Sequence, residues 1–176
     1  MPSGYSEDKA LNAAVRRGKV ELIELLLNYG ACINAVGTEG YGLTPFQVAA
    51  ACGIISIAQR LLGYGAGIKA ASARNAGRTA MQAAAEGGHI ELVQHLLTYG
   101  ADINAAASED FGKIVLPAEV RTNGIGGKPA LQIAATGGDI ELVRLLLDYG
   151  PDINAMISEY SDQRGHALQE AARIHL

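Results

Sequence analysis

An all-α repeat solenoid is the fold class this sequence predicts, and three observations predict it. The first is a phrase that recurs nearly unchanged: ELIELLLNYGACIN from Glu21 to Asn34, ELVQHLLTYGADIN from Glu91 to Asn104 and ELVRLLLDYGPDIN from Glu141 to Asn154, with a more worn copy from Ile57 to Lys69. The second is a shared upstream phrase, TPFQVAAACG from Thr44, TAMQAAAEGG from Thr79, PALQIAATGG from Pro129 and HALQEAAR from His166; the first unit keeps only ALNAAVRRG from Ala10. The third is composition: 49% of the 176 residues are apolar, yet there is no Trp and only two Phe. Small residues at that density suit helices packed backbone against backbone rather than one large interior. A unit of this length cannot bury a core alone, so its recurrence signals a stacked array.

Each unit reads as a short alanine-rich helix, a glycine-containing turn, and a second helix whose leucines recur at helical spacing, as at Leu92, Val93, Leu96 and Leu97. Glu21, Glu91 and Glu141 stand in the first turn of that second helix, where negative charge meets the positive end of the helix dipole. The second helix stops at a Tyr-Gly pair because the glycine supplies the left-handed residue that ends it. These pairs start at Tyr29, Tyr64, Tyr99 and Tyr149, offsets of 35, 35 and 50 residues, so insertions fall between fixed units. The predicted organisation is one domain over 1–176, with repeats at about 6–37, 40–70, 76–107 and 127–157, a partial repeat at 164–176 and an insertion at 106–126. No second helix follows to cover Leu168, Ala171 and Ala172. The chain therefore reads as a piece of a longer array, or as a short product whose half-repeat packs.

These residues resemble the ankyrin repeat, whose TPLHxAAxxGH stretch is followed by LLxxGADxNA, and the resemblance runs from about Asp8 to the end of the chain. It implies an L-shaped stack of antiparallel helix pairs in two layers, with β-hairpin-like fingers projecting from the connections. The motif His is replaced by Gln47, Gln82, Gln132 and Gln169, a variant that looks like arrays in large fungal multidomain proteins. Unit 2 ends GYGAGIKA, with Gly67 and Lys69 where the family has Asp and Asn. Polar bonds tying that finger to its neighbour are expected to be missing, which makes the junction of units 2 and 3 the predicted weak point. Pro151 stands where Ala is usual and removes a backbone donor.

A net charge of −4 gives no electrostatic reason to approach nucleic acid or an anionic membrane. The N-terminus lacks a basic start followed by an apolar run, and no apolar stretch approaches the ~20 residues a bilayer span needs. Two cysteines, Cys32 and Cys52, cannot build a disulfide framework. An intracellular setting is expected, cytoplasmic with the nucleus left open, and a monomer that needs no cofactor or metal.

Signals for chemistry fail on spacing. TNGIGGK, from Thr122 to Lys128, has Thr122 and Pro129 where a P-loop needs Gly and Ser or Thr. His89, His95, His166 and His175 make no metal-ligand spacing with the cysteines, and there is no GxSxG. His89 holds the family's GH position, which implies a turn-stabilising role. The recurrent tyrosines could form an exposed ladder; because they share one position in every unit, packing is expected instead, with the hydroxyl reaching water.

Variation between units marks binding better than sameness, because shared positions serve the stack. The variable pair in AAxxG is Arg16 and Arg17, Ala51 and Cys52, Glu86 and Gly87, then Thr136 and Gly137, with Arg173 in the last fragment. The resemblance places these on the concave surface; the plainer reading is a row of solvated helix ends. The strip runs from basic through small to acidic and neutral, which suits a shaped protein surface rather than a polyanion. A second candidate is the insertion, whose Phe111 and Leu116 need cover from their own hairpin or from a partner. By resemblance, Asn34, Asn104 and Asn154 sit where some ankyrin repeats are hydroxylated; they more often stabilise the finger turn. The expected function is a non-enzymatic protein-protein interaction module that binds another protein, or other domains of a parent chain. The alternative is a structural spacer or sensor segment of a larger multidomain protein.

Overall fold

The computed structural model describes residues 5–36, 42–70, 78–105 and 129–150. Among them are eight helices: α1 (Tyr5–Arg16), α2 (Val20–Asn28), α3 (Pro45–Ala51), α4 (Ile55–Gly63), α5 (Ala80–Glu86), α6 (Ile90–Thr98), α7 (Ala130–Gly137) and α8 (Ile140–Asp148). They form four hairpin pairs, units 1 to 4, and no strand occurs among the described residues. The first helices stack α1 on α3 on α5 on α7, and each second helix packs on its own partner, with α6 also against α8. This is the all-α repeat solenoid that the two recurring phrases predict. No helix among the described residues is long and apolar enough to cross a membrane.

Both helices of a unit end the same way. In α6 the Ala101 N–H bonds the Leu96 carbonyl at 2.9 Å and the Gly100 N–H bonds that of Leu97 at 3.0 Å. These are the paired bonds of a Schellman stop, and Gly100 sits at φ 80°, where an L side chain is strained. The alanine-rich helices stop by the same pair of bonds, as where Gly53 and Ile54 donate to Ala50 and Ala49. Glu21, Glu91 and Glu141 occupy the first turns of α2, α6 and α8, as their sequence positions predict.

In units 2 to 4 the first helices are buried nearly throughout, which is why they are so rich in alanine: Pro45 to Ala50 of α3, Ala80 to Ala85 of α5 and Ala130 to Ala135 of α7 are all covered. Larger side chains fill the space between the two layers, among them Leu11, Phe46, Ile57, Met81, Leu96 and Leu142. Full burial of each such chain stabilises by roughly 1.5–3 kcal/mol. The buried glutamines of units 2 and 3 are engaged. Gln47 accepts the Thr44 N–H at 2.8 Å through Oε1, while its own N–H reaches Thr44 Oγ1 at 3.3 Å. Its Nε2 then donates to the Ala70 carbonyl at 3.0 Å, pinning the helix start to the base of the finger. Gln82 repeats the arrangement with Thr79 and Ala105. Gln47 and Gln82, in place of the family's His, thus complete a capping box and hold the finger at once.

Fingers are joined by a clamp. Asn34 of unit 1 donates to the Gly65 carbonyl at 3.4 Å and accepts the Gly67 N–H at 2.8 Å. The worn finger of unit 2 is therefore tied to unit 1 despite losing its Asp, because the clamp uses the Gly67 backbone. Lys69 stands where Asn34 makes the clamp and forms no such bond. The junction of units 2 and 3 is nonetheless crossed elsewhere, by His89 Nε2 at 3.1 Å from the Ala51 carbonyl. A carbonyl only accepts, so this nitrogen carries the proton. The predicted weak point thus lacks the finger clamp and has a bond between helix ends instead. Pro151 and the partial repeat at 164–176 lie outside the described residues.

Candidate partner-binding surface

The variable AAxxG pairs stand at the C-terminal ends of α1, α3, α5 and α7, and the stacking of those helices brings them into one row. Arg16, Arg17, Cys52, Glu86, Gly87, Thr136 and Gly137 are exposed, and Ala51 is half-buried. Beneath them the alanines are buried, so the row is a set of unlike side chains on a uniform apolar base.

Their freedom differs from site to site. Arg16 and Arg17 have no ion-pair partner among the described residues. Glu86 is held by Arg78, which stands just before the Thr79 cap. The acidic step expected midway along the strip is thereby neutralised. Thr136 donates its hydroxyl to the Gln132 carbonyl one turn back, at 2.8 Å, and the Ala51 carbonyl is taken by His89. Gly87 does not tolerate an arbitrary small residue: a Cβ there would lie 2.4 Å from His89 Nε2. Gly137, at the same place in unit 4, has nothing within 4 Å of that position. His89 accordingly bridges two units, between Gly53 and Gly87, in keeping with the turn role expected of it.

Sequence reading missed Arg78. The signal was present in the residue before each cap, which varies as Leu43, Arg78 and Lys128 between units. The criterion applied to AAxxG would have selected it. Phe111 and Leu116, the rest of the insertion, and the stretch from Thr122 to Lys128 lie outside the described residues.

The tyrosines follow their place in the array. Tyr64, Tyr99 and Tyr149 are 47, 51 and 48% exposed, whereas Tyr29 is 82% exposed. Tyr64, Tyr99 and Tyr149 each follow a described unit and Tyr29 does not, so among the described residues the partial cover goes with a preceding unit, as packing predicts; Tyr99 also stacks on His95 with centroids 6.4 Å apart. The rings are half-covered rather than buried. No group of three or more His, Cys, Asp or Glu side chains that could hold a metal occurs among the described residues.

Comparison with protein families finds that the model for ankyrin repeats (3 copies) matches residues 3–72 and 72–157. Comparison with curated proteins finds no match.

Proposed function

The chain belongs to the ankyrin-repeat family, and from that premise we propose that it binds another protein, or another domain of a parent chain, through the row of AAxxG residues. Ankyrin repeats are generally protein-protein interaction modules and are typically not enzymes. One observation carries the reading: four helix ends stand in register on a buried alanine base, and their exposed residues differ from unit to unit. A surface held so rigidly loses little entropy on binding. The contact residues proposed are Arg16, Arg17, Ala51, Cys52, Glu86, Gly87, Thr136 and Gly137, with Phe111 and Leu116 as a second contact on the insertion. Since Glu86 is paired, the row offers a basic end at unit 1 and a neutral remainder, which sets orientation and association rate more than affinity.

The test is capture from source-cell lysate by the wild-type chain and by a variant carrying Arg16→Glu, Arg17→Glu, Cys52→Glu and Thr136→Lys, with equal melting temperatures established first. A partner retained by the wild type and lost by the variant is the expected result. Equal retention moves the contact off the row. Absence of any partner, with activity of a parent chain that responds to repeat number alone, replaces this reading with the spacer.

A further inference from the structure

Arg78 enters the row of AAxxG residues from the other end of its helix. It stands before the Thr79 cap, and Glu86 is the last residue of α5, 8 positions on. At 1.5 Å per residue their backbones lie roughly 12 Å apart along the axis, so both side chains must run along α5 toward each other to meet. Neither is buried: they are 18 and 30% exposed. Units 2 and 4 carry Leu43 with Ala51 and Lys128 with Thr136 at the same two places, so the stack does not require the pair. An ion pair this exposed favours its closed arrangement by no more than about fivefold. A carboxylate brought by a partner, and shielded from water by the contact it completes, bonds the guanidinium more strongly. Glu86, at the end of its helix, then turns to solvent.

We propose that the row takes an extended acidic segment of its partner, with one carboxylate on Arg16 and Arg17 and a second on Arg78, where Glu86 is the built-in competitor. This rests on the reading of the row as the contact surface and names the chemistry that surface takes. Charge supports it. Arg16 and Arg17 are exposed, and with Arg78 they set three guanidinium groups against the one carboxylate of Glu86. Glu21, Glu91 and Glu141 belong to the second helices, the other layer of the stack. The chain as a whole carries a net charge of −4, so an acidic segment is repelled elsewhere and drawn to this strip. Spacing sharpens the reading. Only α3 lies between α1 and α5 in the stack, and two steps of 8–10 Å put about 16–20 Å between the two carboxylate positions. An extended segment rises ~3.3 Å per residue, so its two acidic residues stand about five or six apart. Between them it crosses Ala51 and Cys52, which offer small side chains and no charge.

Selection from a library of random peptides displayed on phage, against the purified full chain at low ionic strength, tests it. The wild type is expected to retain peptides with two acidic positions about five or six residues apart. Arg78→Gln should erase the preference at one position and keep the other, and Arg16→Gln with Arg17→Gln should do the converse. For one retained peptide, fluorescence anisotropy should show binding weakened about tenfold by Arg78→Gln and tightened by up to about fivefold by Glu86→Gln. A pair that served the fold alone would give no tightening with either change, so unchanged or weaker binding by Glu86→Gln overturns the proposal. Retention of no peptide, retention without an acidic preference, or a preference that Arg78→Gln leaves intact overturns it as well. Peptides without acidic residues that are lost by the four-residue row variant sink this inference and leave the row as the contact; peptides that the variant retains sink both.

Discussion

Gly87 and Gly137 hold the same place in two units, yet a methyl group has opposite consequences at the two. At Gly137 it meets open space in the last turn of α7, so Gly137→Ala should raise stability by roughly 0.5–1 kcal/mol through lost freedom of the unfolded chain. At Gly87 it drives the His89 ring from the Ala51 carbonyl, and Gly87→Ala should cost about 1 kcal/mol. In a His89→Ala background that cost should vanish, a coupling that urea unfolding of the two single variants and the double variant measures. Gly100→Val isolates backbone strain, because nothing lies within 4 Å of its added Cβ. A loss of about 1–2 kcal/mol from that left-handed position is expected in the same assay.

Helix starts carry the next layer of control. Thr44 and Thr79 each close a capping box with the glutamine three residues on, but α7 begins at Pro129, which offers neither hydroxyl nor N–H. Pro129→Thr should install the missing pair of bonds with Gln132 and raise the midpoint of thermal unfolding, by about 1 kcal/mol in free energy. Half of this arrangement was legible in sequence. A Thr three residues before Gln is a local signature; the third bond, from Gln47 to Ala70, spans 23 residues and depends on how the finger returns. The start of α8 is likewise local, since Asp139 accepts the Leu142 N–H at 3.0 Å.

Across the whole array, each unit touches only its neighbours, so stability is set seam by seam. The seam between units 1 and 2 has the Asn34 clamp and the Arg60–Glu24 pair, while the next has His89 without a clamp. The exposed ion pair contributes at most ~1 kcal/mol. Lys69→Asn should let the second finger bond the third as Asn34 bonds the second, a gain of about 1 kcal/mol. Amide exchange should then show units 2 and 3 opening together rather than separately. Sequence by itself determined the repeat, the two helices of each unit and the glycines that stop them, because these depend on contacts within a few residues of chain. Only the tertiary structure decided that Leu22 is open while Leu92 is closed, that Tyr29 is bare while Tyr149 is half-covered, and that Arg78 holds Glu86. Residues in matching sequence contexts received different surroundings there, since burial and charge pairing are properties of a residue's neighbours in space and not of its neighbours along the chain.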